Sequence, residues 1–201
     1  VAAMLRTAAS LVDVPVVLHL DHGYDFEQNV QCLRAGFTSL MFDGSKKSFD
    51  DNVAMTRKIT EIAHIAGIPV EAELGRVAQS TDKLTHEQVC ALMTRPEEAK
   101  RFVELTGADS LAIACGSVHA MQSQEAELNI ELIKAVHAQI PNTPLVLHGS
   151  SSVPQEEVLR INAAGGTLDP PAVLLWLAVT VWIAGFDLIA HSNDDFYEHD
   201  V

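Results

Sequence analysis

Short apolar segments alternate along this chain with longer segments in which hydrophobic residues recur at helical spacing. Helix start and stop signals lie between the apolar segments, such as Pro96 before an amphipathic stretch and Gly107 after it. Successive apolar segments are spaced by roughly thirty residues, the length of a βα unit. The pattern therefore predicts an α/β fold with a parallel sheet and right-handed crossovers. The predicted strands lie near residues 14–20, 37–42, 68–74, 110–115 and 144–148.

Three histidines, His22, His119 and His148, come shortly after predicted strands. In a (β/α) barrel the carboxyl ends of all strands lie at one face, so these side chains are expected to converge. Polar residues follow almost every strand and no Gly-x-Gly-x-x-Gly motif follows any. A barrel is therefore favoured over a doubly wound sheet, which remains the alternative. Three imidazoles with an open fourth position are a ligand set for a catalytic zinc ion.

The net charge and the cysteine content indicate which kinds of binding partner and which cellular compartment to expect. The 201 residues carry a formal net charge of −14, which argues against nucleic acid or an anionic membrane as a partner. An anionic substrate would then need a local positive feature, such as a metal ion or a helix N-terminus. Cys32, Cys90 and Cys115 are widely spaced, so we expect reduced thiols in a cytoplasmic protein. No signal peptide is expected at the N-terminus.

Five motifs carry a family resemblance. In the order in which they occur, they resemble the motifs of the class II, zinc-dependent ketose-bisphosphate aldolases, which comprise fructose-1,6-bisphosphate and tagatose-1,6-bisphosphate aldolases. The resemblance covers about residues 14–166. The motifs are residues 18–23 (LHLDHG), 41–45 (MFDGS), 71–75 (EAELG), 116–119 (GSVH) and 147–151 (LHGSS).

The resemblance implies a TIM (β/α)8 barrel and a role for each residue that matches a motif. His22, His119 and His148 would bind the catalytic zinc ion, and Asp21 would be the catalytic acid/base. Asp43 and Glu73 match positions that hold zinc in an alternative, buried location in some members. The phosphate of the substrate would be bound by Gly149, Ser150 and Ser151. A second divalent ion, a monovalent cation and a homodimer or higher homo-oligomer are further expectations.

The implied reaction is reversible aldol cleavage of a ketose 1,6-bisphosphate, with fructose 1,6-bisphosphate expected first. Its products would be dihydroxyacetone phosphate and glyceraldehyde 3-phosphate, with zinc polarising the carbonyl and stabilising the enediolate. No lysine lies in a predicted strand, which agrees with a reaction that needs no Schiff base. Two alternatives stay open: a tagatose-bisphosphate aldolase, and a degenerate, non-catalytic relative that keeps the metal site. A third, weaker one is a different metal-dependent barrel lyase acting on a related ketose.

The chain departs from the family pattern at two places near the motifs. Thr81 occupies the position of the loop glutamate that moves a proton of the ketone substrate, and Asp82 is the nearby carboxylate. Ala120 replaces the glycine that usually follows the second zinc histidine. A further interpretation concerns three residues of the motifs themselves. His19 is expected in a supporting or core position, and Glu71 and Glu73 alternate to the same side of a strand.

The length of the chain and its resemblance to the family together imply an incomplete barrel. A (β/α)8 barrel needs about 250 residues, so we expect that N-terminal units are missing and that the last unit is replaced by an apolar tail. Residues 1–166 would form the aldolase barrel region, and residues 167–201 a divergent tail of uncertain role. An apolar run over residues 172–190 is borderline in length for a membrane span. A packed hydrophobic element and a peripheral membrane anchor are the alternatives for this tail.

Overall fold

The computed structural model describes residues 2–13, 16–119, 125–149 and 152–154. The helices in these residues are α1 (Ala2–Ala9), α2 (Phe26–Ala35), α3 (Phe49–Ile65), α4 (His86–Leu92), α5 (Pro96–Thr106) and α6 (Ile130–Gln139). The strands are β1 (Leu40–Phe42), β2 (Val70–Leu74), β3 (Ala78–Gln79), β4 (Ser110–Ile113), β5 (Val118–His119) and β6 (Leu145–Val146). A single 3₁₀ turn, Ser80–Asp82, follows β3. The helix predicted after Pro154 and the tail 167–201 lie outside the described residues.

The main sheet is parallel, and its strands are neighbours in the order β1-β2-β4-β6. A parallel bridge between His19 and Ser39 adds the segment around residues 16–20 beside β1. Four predicted strands are thus confirmed, whereas the first predicted strand is an extended segment held by this bridge. Because the neighbours follow chain order, the described strands show no reversal of the kind that a doubly wound sheet requires.

The two faces of this sheet differ in chemistry because successive side chains of a strand point to opposite sides. Leu40, Phe42 and Val70 pack with Ile59 and Ala63 of α3 on one face. Further along the sheet, Leu111 and its neighbours pack with α5 and α6. Helix α3 contacts α5, and α5 contacts α6, so these helices form one layer on this face. The opposite face carries Glu71 and Glu73 and is the face on which the candidate site lies.

Local signals explain where the helices begin and end. Asp25 accepts a hydrogen bond from the Gln28 N–H at the start of α2, and Ser48 accepts one from Asp51 at the start of α3. Pro96 occupies the first turn of α5, and Gly107, with φ of 69°, ends it in the left-handed conformation. The helix predicted between these two residues is confirmed. None of the described helices is both long and apolar enough to span a membrane.

A second, two-stranded sheet lies beyond the ends of β2 and β4. Strand β3 pairs in parallel with β5, with Gln79 opposite His119. The sequence did not predict this pairing, because two-residue strands are too short to show a periodic pattern. The pairing places the loop after the EAELG motif directly beside one of the three histidines.

Candidate metal centre

Three imidazole rings from three separate segments meet on the polar face of the sheet. His22 follows the extended segment 16–20, His119 ends β5, and His148 follows β6. The ring centroids of His22 and His148 are 4.6 Å apart, those of His22 and His119 are 5.3 Å apart, and those of His119 and His148 are 6.1 Å apart. One ring nitrogen from each histidine lies within 4.8 Å of the others. The structure therefore brings together the three predicted ligands.

The turn at residues 21–23 directs His22 into the site. His22 has φ of 50°, a left-handed conformation that is uncommon for a residue with a side chain. Gly23 lies against the neighbouring strand, where a Cβ atom would be 2.4 Å from the Met41 carbonyl oxygen. The Gly23 carbonyl accepts a hydrogen bond of 2.8 Å from the Asp43 N–H. Only glycine fits this contact, and the turn is thereby held at the end of β1.

Two carboxylates lie beside His22. The Asp43 Oδ2 and Glu73 Oε2 atoms are 3.3 Å and 3.6 Å from His22 Nδ1. Together these three residues form a second group whose ligand atoms lie within 4.8 Å of one another. The structure thus brings together Asp43 and Glu73, the two residues that the resemblance assigned to an alternative metal position.

Burial affects these two carboxylates differently. Burial raises the pKa of Glu73 to about 7, and the charge of Asp43 adds to the shift. Burial alone would also raise the pKa of Asp43, but hydrogen bonds from His22 and Ser45 outweigh it and hold that pKa below its usual range. Glu73 Oε2 is buried without a hydrogen-bond partner among the described residues. A buried oxygen of this kind is one that a cation would satisfy.

Glu71 supports His148 from the interior of the sheet. Its Oε1 atom lies 2.8 Å from His148 Nε2; the Glu71 side chain is buried and that of His148 is 11% exposed. Burial alone would lower the pKa of His148, but the hydrogen bond to Glu71 and the charges of Glu71, Asp21 and Glu73 together outweigh it and raise the pKa to about 10. The sequence indicated only that Glu71 shares a side of the strand with Glu73. The partner of Glu71 could not be predicted, because it lies 77 residues away in the chain.

His19 lies next to this pair and does not belong to either group of candidate ligands. Its Nδ1 atom is 2.8 Å from the Ser39 hydroxyl, and its Nε2 atom is 3.8 Å from Glu71 Oε2. Burial lowers the pKa of His19, which favours the neutral ring. The placement agrees with the supporting position expected from the sequence.

Asp21 lies at the edge of the histidine cluster, with its Oδ1 atom 3.8 Å from His22 Nε2. One quarter of its side chain is exposed, which makes it more accessible than Asp43 or Glu73. Burial alone would raise the pKa of Asp21, but the charges of His148 and His22 outweigh it and lower the pKa. The side chain is therefore a carboxylate at neutral pH.

The loop of residues 76–82 contains Thr81, which stands at the position of the expected glutamate, and the nearby carboxylate Asp82. Thr81 lies in the 3₁₀ turn. The Asp82 carboxylate accepts hydrogen bonds from Arg76 at 2.8 Å and from the Gln79 N–H at 3.2 Å. Asp82 thus caps this turn, and its carboxylate is already bound within the loop.

The predicted phosphate-binding residues are described only in part. Gly149 has φ of 65° and lies against the backbone of Val118. Ser150, Ser151 and Ala120 lie outside the described residues. Ser152, which the sequence analysis did not select, is fully buried and hydrogen-bonds to both Val118 and Gly149. Its burial and its long-range partner could not be deduced from the run of three serines.

The donor set fits a zinc ion. Three imidazoles and nearby carboxylates are ligands that zinc prefers, and one face of the group is bordered by the more exposed Asp21. Glu73 Oε2, which is buried beside His22 and has no hydrogen-bond partner among the described residues, is a further atom that a cation would satisfy.

Comparisons with known proteins give consistent matches. A family model described as fructose-bisphosphate aldolase class-II matches residues 1–167. The fructose-bisphosphate aldolase of Thermus caldophilus is 44% identical over 166 residues, which are 82% of this chain and 54% of that protein. The D-tagatose-1,6-bisphosphate aldolase subunit GatY of Klebsiella oxytoca is 36% identical over 165 residues, which are 82% and 58% of the two chains.

A solved structure also matches. The X-ray crystal structure of the YdjI aldolase from Escherichia coli K12 superposes with a TM-score of 0.69 at 35% sequence identity. The match covers 83% of this chain and 56% of that one. The chain therefore spans a little over half the length of the relatives that it matches.

Proposed function

Because this chain belongs to the class II fructose-bisphosphate aldolase family, we propose that it carries a metal-dependent site for aldol cleavage of a ketose 1,6-bisphosphate. The family is zinc-dependent and has a barrel-type α/β fold, as the sequence predicted. The observation that carries the proposal is the convergence of His22, His119 and His148 within 4.8 Å. The part of the chain assigned to this function is residues 1–166.

The three histidines are the proposed ligands of one zinc ion, and Asp43 with Glu73 would provide an alternative, more buried position. A bound zinc ion would act as a Lewis acid that stabilises negative charge developing on the substrate oxygens. On binding the ion the three imidazoles would release any proton from the ligating nitrogens. As neutral ligands they would leave the charge of the ion undiminished, whereas the carboxylates of the second group would reduce it. The chain is strongly acidic, so a cation here would also attract a phosphorylated sugar.

Asp21 is the proposed acid/base. In cleavage its carboxylate would accept the proton of the C4 hydroxyl as the bond between C3 and C4 breaks, leaving an aldehyde and a ketone fragment. In condensation it would return that proton to the aldehyde oxygen. The side chain is a carboxylate at neutral pH, the form that can accept a proton, and its partial exposure allows contact with a substrate.

Glu71 and His19 have a supporting role in this proposal. A histidine that donates one ring N–H to a carboxylate has its other ring nitrogen available to a metal ion. The 2.8 Å contact between His148 Nε2 and Glu71 supports this arrangement for His148. His19, which hydrogen-bonds to Ser39, lies 3.8 Å from the second oxygen of Glu71. Gly149, Ser150 and Ser151 remain the proposed donors to a substrate phosphate.

Fructose 1,6-bisphosphate is the proposed substrate, and dihydroxyacetone phosphate and glyceraldehyde 3-phosphate are the proposed products. The Thermus caldophilus relative named for fructose bisphosphate is 44% identical, compared with 36% for the relative named for D-tagatose 1,6-bisphosphate. Tagatose 1,6-bisphosphate is the second candidate substrate. The test is a comparison of the two sugars as substrates of the same purified protein.

A second candidate function is that of a non-catalytic relative that keeps the metal site. The loop of residues 76–82 favours this non-catalytic function. After bond cleavage the ketone fragment must gain a proton at C3. The hydroxyl of Thr81 is a poor acid for that step, and Asp82 is bound to Arg76 and Gln79. Without such a group, turnover would be slow although the metal is bound.

The experiment that separates these functions measures cleavage of fructose 1,6-bisphosphate by the full chain. Activity that is lost with a chelator and restored by zinc supports the enzyme. The variant His148→Ala is expected to be inactive, whereas His86→Ala, which changes an exposed histidine on α4, is expected to retain the activity of the parent. Zinc binding without detectable cleavage would favour the non-catalytic function.

A further inference from the structure

Ser152 connects the two segments that carry His119 and His148. Its side chain is fully buried. The hydroxyl oxygen accepts a hydrogen bond of 2.9 Å from the Val118 N–H and donates one of 2.7 Å to the Gly149 carbonyl. The Ser152 N–H donates a second bond to the same carbonyl, at 3.1 Å. Ser152 therefore uses its donor and its acceptor capacity on two separate segments.

These two segments are in close backbone contact. Val118 and Gly149 are the chain neighbours of His119 and His148. A Cβ atom on Gly149 would lie 3.0 Å from the Val118 carbonyl carbon and 3.2 Å from the His119 nitrogen. The hydroxyl of Ser152 provides a hydrogen-bonded link between these two segments.

We propose that Ser152 is a positioning residue, which fixes His119 relative to His148. The inference rests on the proposed metal site, because the separation of these two rings matters most if both bind one ion. Removal of the hydroxyl would leave the half-buried Val118 N–H without this acceptor, so the loop would shift or admit water. Metal–ligand distances tolerate deviations of only about 0.2 Å. A shift of the loop would therefore weaken metal binding although no ligand is changed.

The first experiment compares zinc affinities, measured by competition with a chelator. Ser152→Ala is expected to bind zinc about tenfold more weakly, the low end of the effect of groups that support metal ligands. Ser152→Thr keeps the hydroxyl and is expected to retain most of the affinity. Thr60→Val is the control, since it removes a buried hydroxyl of α3 that has no hydrogen-bond partner in the described part of the chain. Its zinc affinity is expected to equal that of the parent.

The second experiment tests the hydrogen bond between the Ser152 hydroxyl and the Val118 N–H in the metal-free protein. Amide hydrogen exchange of Val118 in the metal-free protein is expected to be slow in the parent and in Ser152→Thr, and faster in Ser152→Ala. Fast exchange in the parent would overturn the proposal even if no variant folds. Faster exchange in Ser152→Ala with unchanged zinc affinity would also overturn it, because the link would then serve stability alone.

The two experiments also separate this inference from the proposed function. A parent protein that protects the Val118 amide but binds no zinc would refute the metal site, and with it the role of Ser152 in positioning ligands. A parent protein that binds zinc with equal affinity before and after Ser152→Ala would refute only the role of Ser152.

Discussion

Replacing Glu71 with glutamine removes one negative charge from the side chain that contacts His148 and leaves the volume of the side chain almost unchanged. In the parent, His148 Nε2 and Glu71 Oε1 are 2.8 Å apart, and the Glu71 side chain is 1% exposed. A glutamine can still accept a hydrogen bond at this position, but the bond is no longer charge-assisted. We therefore expect Glu71→Gln to fold and to bind zinc more weakly.

The burial of the contact between Glu71 and His148 sets the size of the expected loss of zinc affinity. Substitution of the outer partner of a metal ligand costs about 10- to 100-fold in metal affinity, which corresponds to about 1.4 to 2.7 kcal/mol. An exposed pair in the same chain provides the comparison. Arg57 Nε and Glu61 Oε1 are 2.9 Å apart, but both side chains are 62% exposed. Water screens such a pair, so Glu61→Gln is expected to change the free energy of unfolding by less than about 1 kcal/mol and the zinc affinity not at all.

The assay is competition for zinc between the protein and a chromogenic chelator, for the parent, Glu71→Gln and Glu61→Gln. Circular dichroism of the metal-free proteins checks that all three are folded. Equal zinc affinity of Glu71→Gln and the parent would refute the reasoning, because the contact between Glu71 and His148 would then have no influence on the metal. An equal loss in both variants would also refute it, since burial would not be the deciding factor.

Three further predictions concern separate features of the chain. Gly23→Ala is expected to destabilise the protein by about 1 to 3 kcal/mol through overpacking, because its Cβ would lie 2.4 Å from the Met41 carbonyl oxygen; an unchanged thermal midpoint would contradict this. Asp21→Ala is expected to keep zinc and lose cleavage by about 10²-fold or more, measured as turnover at saturating substrate; retention of most activity would exclude Asp21 as the acid/base. Burial raises the pKa of Cys115 to about 12 from its ordinary value of 9.0, so the folded state favours the neutral thiol. Its contribution to stability is complete below pH 9 and is lost as the pH rises toward 12. Cys115→Ala is expected to reduce the loss of stability above pH 9, and an identical pH dependence in parent and variant would contradict the shift.

Much of the fold could be predicted because local signals and the tertiary structure agree. The stretch from Pro96 to Gly107 has a start signal, an apolar face and a stop signal, and it folds as the helix that these predict. Strand β2 was found from its apolar run and carries Glu71 and Glu73 on the polar side. The first predicted strand is the exception. Its described residues, 16–20, form the bridge from His19 to Ser39 and hydrogen bonds with residues 38–39 but no regular strand, because edge pairing depends on neighbours that a local pattern does not report.

The candidate site was predicted less completely. His22, His119 and His148 could be selected because each follows a strand, and parallel strands end at one face. The partners of these histidines could not be predicted from the sequence. The contact of Glu71 with His148 and the link from Ser152 to Val118 join positions 77 and 34 residues apart in the chain. Such contacts are set by the packing of whole elements, and no local pattern in the sequence reports them.

The measurement that tests the central claim most directly is the zinc content of the purified full chain, compared with that of His148→Ala. The account predicts about one zinc ion per parent chain and a large loss of that zinc in the variant, with both proteins folded. A folded parent without zinc, or a His148→Ala variant that retains it fully, would contradict the claim that the three histidines form one metal site.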